Sequence, residues 1–263
     1  METQTRWIEL DGAVNVRDLG GLATTDGRTT RYGRVLRADN LQDLTPADIA
    51  NLTGTRNLRD VIDLRSGPEV RLEGPGPLTR ASGVTIHHLS LFLEANHATD
   101  IDLDKILPWQ SRQQSESAQE RSVGHYLGYL HERADSIIAA LRVIAYGSGA
   151  AIVHCAAGKD RTGVVCALAL ETAGATRDAV IADYAQTGER LDAVLGRLRS
   201  SDTYAADLDS RPNDSHHPHA AIMDTFLATI DEEHGGALPW LSRHGWNTHD
   251  TTALRLRLVG LPS

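Results

Sequence analysis

Short apolar runs recur along the chain, separated by longer stretches with helical spacing. Arg34-Val35-Leu36-Arg37, Val61-Ile62-Asp63-Leu64, Val84-Thr85-Ile86-His87-His88-Leu89 and Ala150-Ala151-Ile152-Val153 each have the length and β-branched content of a strand. Thr45-Pro46-Ala47-Asp48 opens a helix, with Thr45 as cap, Pro46 at the first helical position and Asp48 completing a capping box. Val123, Leu127, Leu130, Ile137, Leu141 and Ile144 fall near helical spacing and predict one helical region from Val123 to Tyr146, ending at Gly147. Val164-Val165-Cys166-Ala167-Leu168-Ala169-Leu170 reads as a buried helix. Further helices are predicted from Arg177 to Gln186, Glu189 to Arg199, Ala220 to Glu233 and Thr251 to Leu258. No internal repeat is present. Strands alternating with helices predict an α/β fold, a mixed and mostly parallel sheet flanked by helices, formed by residues 1–263 as one domain. In such sheets ligands lie beyond the carboxyl ends of the strands.

Two segments break the pattern. Leu91–Glu120 lacks clear periodicity, and Ser200–His219 is polar, with Asp202, Asp207, Asp209, Pro212, Asn213 and Asp214. Long stretches of this kind inside a compact domain are commonly functional, so both are candidate covers for a site.

Composition narrows the class. The chain has 263 residues, 41% of them hydrophobic, enough for a sizeable core. A formal charge of −9 argues against a general nucleic-acid binder. Two cysteines exclude a disulfide scaffold. The N-terminus, Met1-Glu2-Thr3-Gln4-Thr5-Arg6-Trp7, has no apolar signal core, and no run reaches membrane-spanning length. The expectation is a cytoplasmic protein; export that reads no conventional signal is a second route.

The chemistry concentrates in one line, His154-Cys155-Ala156-Ala157-Gly158-Lys159-Asp160-Arg161-Thr162-Gly163. It joins a predicted strand to a predicted helix, and the unpaired amides of a first helical turn form an anion cradle. Cys155 stands at its mouth. Only a thiolate attacks, and helix N-termini and cations favour the thiolate. Arg161, six residues on, has the planar fork that grips two phosphoryl oxygens at once. Gly158 permits a turn that a side chain would obstruct. Loop amides from Ala156 through Thr162, with Lys159 and Arg161, are the expected phosphate ligands. The Thr162 hydroxyl is placed to stabilise the departing thiolate, and His154 to orient the loop. Cys166 sits inside an apolar helical run and reads as inert core.

This line resembles the signature loop, Cys-x5-Arg-Thr, of protein tyrosine phosphatases and dual-specificity phosphatases. Lys159 resembles the residue of phosphoinositide phosphatases related to the tensin-like tumour suppressor, and Asp160 that of the myotubularins. Together they resemble the atypical bacterial tyrosine-phosphatase B family, which also acts on phosphoserine, phosphothreonine and phosphoinositides. Asn15-Val16-Arg17-Asp18-Leu19-Gly20-Gly21, Val35-Leu36-Arg37-Ala38-Asp39-Asn40-Leu41 and Val61-Ile62-Asp63-Leu64-Arg65-Ser66 fit the same family, except that Ala38 stands where serine is usual. The likeness covers roughly residues 13–190. It implies a cysteine-phosphatase-like fold with a helical lid, to which 91–120 would contribute. It also implies phosphorylated proteins or phosphoinositides as partners, inorganic phosphate as product, and no metal or cofactor.

Phosphate ester cleavage also needs an acid for the leaving oxygen. None of Trp7, Trp109, Trp240 and Trp246 precedes Pro-Asp, so the usual Trp-Pro-Asp acid is missing. Asp160 is the first candidate and is favoured by the resemblance. Asp63 is the alternative acid, and a structural carboxylate holding Arg65 or the loop is the other reading of it. Lys159 adds positive potential suited to substrates with several phosphates. The rival functions are a phosphoinositide or inositol-polyphosphate phosphatase with little action on proteins, and a catalytically silent phosphate-binding module; arsenate reduction or sulfur transfer is weaker still. Asp100-Ile101-Asp102-Leu103-Asp104 fails the calcium-loop pattern at Lys105 and Ser111. His216-His217-Pro218-His219 lacks the companions of a metal site.

Overall fold

A computed structural model describes residues 5–93, 117–205, 208 and 216–261. Five strands form one sheet in the order β1-β2-β5-β3-β4: β1 (Arg17–Asp18), β2 (Val35–Ala38), β3 (Leu58–Asp63), β4 (Thr85–His88) and β5 (Ala150–His154). β1 runs antiparallel on the edge, and β2, β5, β3 and β4 are parallel. The predicted mixed, mostly parallel sheet is therefore the observed one. β5 is central, and every one of its residues is buried, as a strand apolar from Ala150 to Val153 with parallel neighbours on both sides requires.

Register divides the strand residues between two cores. Leu36, Ile152 and Val61 lie side by side across β2, β5 and β3. They belong to a core with Ile8, Val16, Leu52 and Leu58, covered by α1 (Pro46–Ala50) and the π-helical turn Asn51–Thr55 that follows it. Ala151, Val153 and Ile62 point to the opposite face, as the period of two dictates. There they meet α4 (Ala134–Tyr146) and α5 (Asp160–Ala173). α6 (Arg177–Ala185) and α8 (Ala220–His234), α9 (Ala237–Arg243) and α10 (Thr248–Leu258) complete that larger core. α7 (Leu191–Arg199) belongs to a third, smaller core beyond the carboxyl end of β5.

Three expectations change. The single helical region from Val123 to Tyr146 is two helices, α3 (Ala118–Glu132) and α4, broken at Arg133 (φ −134°, ψ 43°). The Arg133 guanidinium binds the Asp135 carboxylate (3.0 Å), the Ser136 hydroxyl and the Phe92 carbonyl. α2 (Gly67–Glu73) and α9 were not expected; both are only seven residues long, too short for periodicity to register. The polar stretch 200–219 is not simply a solvated loop, because Tyr204 and Leu208 are buried. Most of 91–120, with the discounted Asp100–Asp104 run, lies outside the described residues. Among the described residues no helix is long and apolar enough to cross a membrane.

Truncating Ile152, which is 0% exposed between Leu36 and Val61, should lower the unfolding free energy by about 3 kcal/mol in Ile152→Ala. Leu256→Ala, at a position 39% exposed, should cost under about 1 kcal/mol. Urea unfolding of both variants checks the difference.

Candidate active site

β5 ends at His154, and the chain turns through Cys155–Lys159 into α5. Gly158 has φ +68°, and a Cβ there would lie 2.4 Å from the Ala38 carbonyl oxygen, so the turn presses against the end of β2 at a distance only glycine permits. The first helical bond of α5 runs from the Gly163 amide to the Lys159 carbonyl (2.8 Å). No side chain caps this helix, so the amides of Asp160, Arg161 and Thr162 have no intrahelical acceptor and face the turn. The Thr162 hydroxyl donates to Cys155 Sγ (3.2 Å).

A turn whose amides converge must send its carbonyls outward, and these need donors. The Ala156 carbonyl accepts from the Asn40 amide (2.8 Å), the Ala157 carbonyl from Asn15 Nδ2 (2.9 Å) and the Gly158 carbonyl from Arg37 Nη2 (2.7 Å). Arg37 is itself fixed by Asp183 (Nη1–Oδ2 2.6 Å), which also binds Arg6 (2.6 Å) and Arg17 (3.3 Å). Arg17 Nη1 donates to Asn15 Oδ1 (2.5 Å). Burial alone would raise the Asp183 carboxyl, but three arginines outweigh it and hold it well below the usual carboxylate range. The amides of Val14 and Asn15 are anchored by Asp39.

Arg161 forms a bidentate pair with Glu69, Nη1–Oε2 2.5 Å and Nη2–Oε1 2.9 Å, and the Phe92 ring lies 5.2 Å from its guanidinium carbon. Glu69 occupies the third position of α2, where its carboxylate also accepts from the Ser66 amide (2.8 Å) and the Tyr204 hydroxyl (3.2 Å). Burial opposes ionisation of Glu69, but Arg161 prevails and lowers its pKa. Ala156 and Ala157 pack under Leu191, Val194, Leu195 and Leu198 of α7, together with Tyr204 and Leu208. Lys159 Nζ donates to the His216 carbonyl (2.8 Å). The described parts of 200–219 thus lie over the turn.

The two candidate acids differ. Asp63 is 4% exposed and bound by Arg65 through Nε (2.9 Å), Nη2 (2.6 Å) and the backbone amide (3.0 Å). Burial would raise its pKa, but His154 and Arg65 lower it far below the ordinary value. Asp160, by contrast, sits at the first position of α5 with a side chain 36% exposed. Its Oδ1 accepts from the Tyr126 hydroxyl (2.5 Å) and lies 3.6 Å from Lys159 Nζ. Burial again acts upward, and Lys159, Tyr126 and Arg161 together hold the carboxyl below its usual range.

His154 is 2% exposed behind the turn, with Nδ1 3.3 Å from the Cys155 carbonyl and Nε2 3.7 Å from Asp63. Cys166 is buried, and burial pushes its thiol up to about 12. Cys155, Gly158, Lys159, Asp160, Arg161 and Thr162 thus share one turn, while Asp63 and His154 stand behind it. Asn15, Arg37, Glu69, Tyr126 and Asp183 were not singled out from the sequence. Ser66-Gly67-Pro68-Glu69 carried a legible signal, since it is a capping-box pattern. Among the described residues no group of three His, Cys, Asp or Glu side chains could hold a metal ion.

Residues 8–260 match the family model described as the tyrosine phosphatase family. The chain is 28% identical to the triple specificity protein phosphatase PtpB of Mycobacterium tuberculosis, over 96% of this chain and 99% of that one. It is 30% identical to a putative tyrosine-protein phosphatase of Cupriavidus necator, over 70% of this chain and 63% of the relative. A tyrosine-protein phosphatase of Nostoc commune is 29% identical over 85% of this chain and 73% of its own.

Burial lowers the His154 pKa from 6.5 to about 4, even though Asp63 favours its charged form. Between those values the unfolded chain binds the extra proton, so the folded state loses stability as pH falls through this window and not above it. The loss should approach about 3 kcal/mol and be absent from His154→Gln. Urea unfolding of both proteins at pH 7, 5.5 and 4 measures it.

Proposed function

The chain belongs to the tyrosine phosphatase family, and on that footing we propose that it hydrolyses phosphotyrosine, and also phosphoserine and phosphothreonine, through a phosphocysteine intermediate. The observation that carries this reading is the turn itself. At the carboxyl end of the central strand, one turn carries Cys155, the uncapped start of α5 and Arg161, with the Thr162 hydroxyl 3.2 Å from the cysteine sulfur.

In the reading, the Cys155 thiolate attacks phosphorus in line with the ester oxygen. As the S–P bond forms and the P–O bond breaks, the equatorial oxygens are held by the amides from Ala156 to Thr162 and by Arg161, so the charge developing there meets donors already in place. Arg161 is kept in a fixed orientation by Glu69, which limits the rotamer freedom lost on binding. Asp160 gives its proton to the leaving oxygen. Lys159 and Tyr126 favour its ionised form in the free enzyme, and a bound phosphate dianion opposes them by placing negative charge nearby. Protonation is then coupled to substrate binding. Water next attacks the phosphocysteine, the Asp160 carboxylate accepts its proton, and the departing Cys155 thiolate receives the Thr162 hydrogen bond. Asp63, closed into its pair with Arg65, is assigned to holding the strand end.

Support for a range beyond phosphotyrosine comes from Lys159, whose ammonium lies beside Asp160, and from the likeness to the triple specificity phosphatase of Mycobacterium tuberculosis. A serine alkoxide leaves far less readily than a tyrosine phenolate, whose conjugate acid has a pKa of about 10. The acid therefore matters most for serine and threonine esters.

Cys155→Ala should lose turnover of an aryl phosphate by on the order of a thousandfold or more, and acid quench of the parent enzyme should trap phosphocysteine. Asp160→Asn should lose about a hundredfold or more on phosphoserine peptides and much less on phosphotyrosine. Lys159→Ala should lose most on substrates bearing several phosphates, inositol lipids included. Full turnover by Cys155→Ala, or turnover without a trapped intermediate, would overturn the mechanism; neither turnover nor a trapped intermediate in the parent enzyme would leave a silent phosphate-binding module.

A further inference from the structure

Tyr126 lies on α3, 34 residues before Asp160, and is 1% exposed. Its hydroxyl makes two contacts: Asp160 Oδ1 at 2.5 Å and Tyr184 Oη at 2.8 Å. A phenol has one proton to donate. With that proton on the carboxylate, Tyr184 is the donor to Tyr126, and the chain of bonds runs from Tyr184 through Tyr126 to Asp160.

The ring has little freedom. Tyr129 stacks against it at 6.2 Å, while Tyr184 and Phe226 meet it edge-on at 6.3 and 5.6 Å. Tyr184 in turn abuts the first turn of α5, where a Cβ on Gly163 would fall 3.0 Å from its ring. The contacts of Tyr126 and Lys159 with the Asp160 side chain both fall on Oδ1.

We propose that Tyr126 is a positioning residue for the acid step: held by Tyr184, it fixes Asp160 through Oδ1 so that Oδ2 is the oxygen that carries and delivers the proton. The inference rests on the reading of Asp160 as the acid. Protonated Asp160 gives the Oδ2 proton to the leaving oxygen as the P–O bond breaks, and its two oxygens then share the negative charge. Tyr126 keeps its own proton throughout, since burial and the neighbouring carboxylate raise its pKa well above 10.0. Its donated hydrogen bond is strongest to the ionised carboxylate, so it both orients the acid and lowers its pKa. The other groups facing Asp160 are Lys159 and Arg161 on its own segment and His125 on α3, all of which favour its charge.

Tyr126→Phe keeps the ring packing and removes the donor. Carboxyl carbon titration by NMR in the free protein should show the Asp160 pKa raised relative to the parent. The rate of phosphoenzyme formation should fall by about tenfold on an alkyl phosphate and by under about threefold on an aryl phosphate, and its basic limb should move to higher pH. Tyr184→Phe should shift the same quantities in the same direction by less. A uniform drop on both substrates with an unmoved Asp160 titration would mean Tyr126 only packs, and would overturn the proposal. The acid reading fails by a different result: an Asp160→Asn enzyme that cleaves the alkyl phosphate at the parent rate. The titration reports on the Tyr126 contact without reference to turnover, so the two failures are told apart.

Discussion

The turn after β5 sends its carbonyls into the protein, as a loop built to turn its amides toward an anion must. Three consecutive carbonyls, of Ala156, Ala157 and Gly158, are met by the Asn40 amide, the Asn15 side chain and the Arg37 guanidinium. An unmet buried carbonyl costs about 1–3 kcal/mol, so these donors decide whether the loop exists. Arg37 reaches its carbonyl only because Asp183 neutralises it, and the same carboxylate gathers Arg6 and Arg17. Removing one member of such a buried set leaves uncompensated charge, typically a loss of about 3–5 kcal/mol. The fully buried Arg17 and Arg37 are thus explained by the backbone they hold, not by a substrate they touch.

Asp63, Glu69, Asp160 and Asp183 around the loop illustrate how neighbours divide labour among chemically similar groups. Asp63 is saturated by Arg65, Glu69 by Arg161, and Asp183 by its three arginines. Each is locked in its ionised form and serves as an anchor. Asp160 differs in kind: its side chain is the most exposed of the four, and its closest donor is a neutral phenol. A carboxylate whose partners include a neutral hydroxyl and a lysine at 3.6 Å is more easily reprotonated by a nearby dianion than one in a bidentate guanidinium pair.

What could be read from the sequence followed sequence separation. The strand–turn–helix around Cys155 is local, and its apolar flanks and glycine state its geometry directly. The supports of the loop could not be read this way, because they lie far off along the chain: Asn15 is 142 residues from Ala157, Arg37 is 146 from Asp183, and Glu69 is 92 from Arg161. Nothing periodic marks such pairs. Helical spacing carried straight through Arg133, and the partner that marks the break from afar, the Phe92 carbonyl, lies 41 residues away. The short segments Asn15–Gly21 and Val35–Leu41 were recognisable as family features, yet their function as carbonyl donors and backbone anchors emerges only once β1 and β2 stand beside β5.

The net charge of −9 and an anionic substrate are reconciled by range. At physiological salt, charges beyond about 8 Å are largely screened, so the carboxylates scattered over the surface have little effect at the loop. What a phosphate bound as proposed would meet at close quarters is the N-terminal end of α5, Arg161 and Lys159, with Arg37 behind the Gly158 carbonyl. These groups are desolvated, with Lys159 7% and Arg161 6% exposed, and screening is weakest where water is excluded. Whole-chain charge therefore argues against broad nucleic-acid binding without opposing recognition of a single phosphoryl group. Charge placement within one helical turn of Cys155 governs the site, and it is the feature on which Asp160 and its tyrosine partner act.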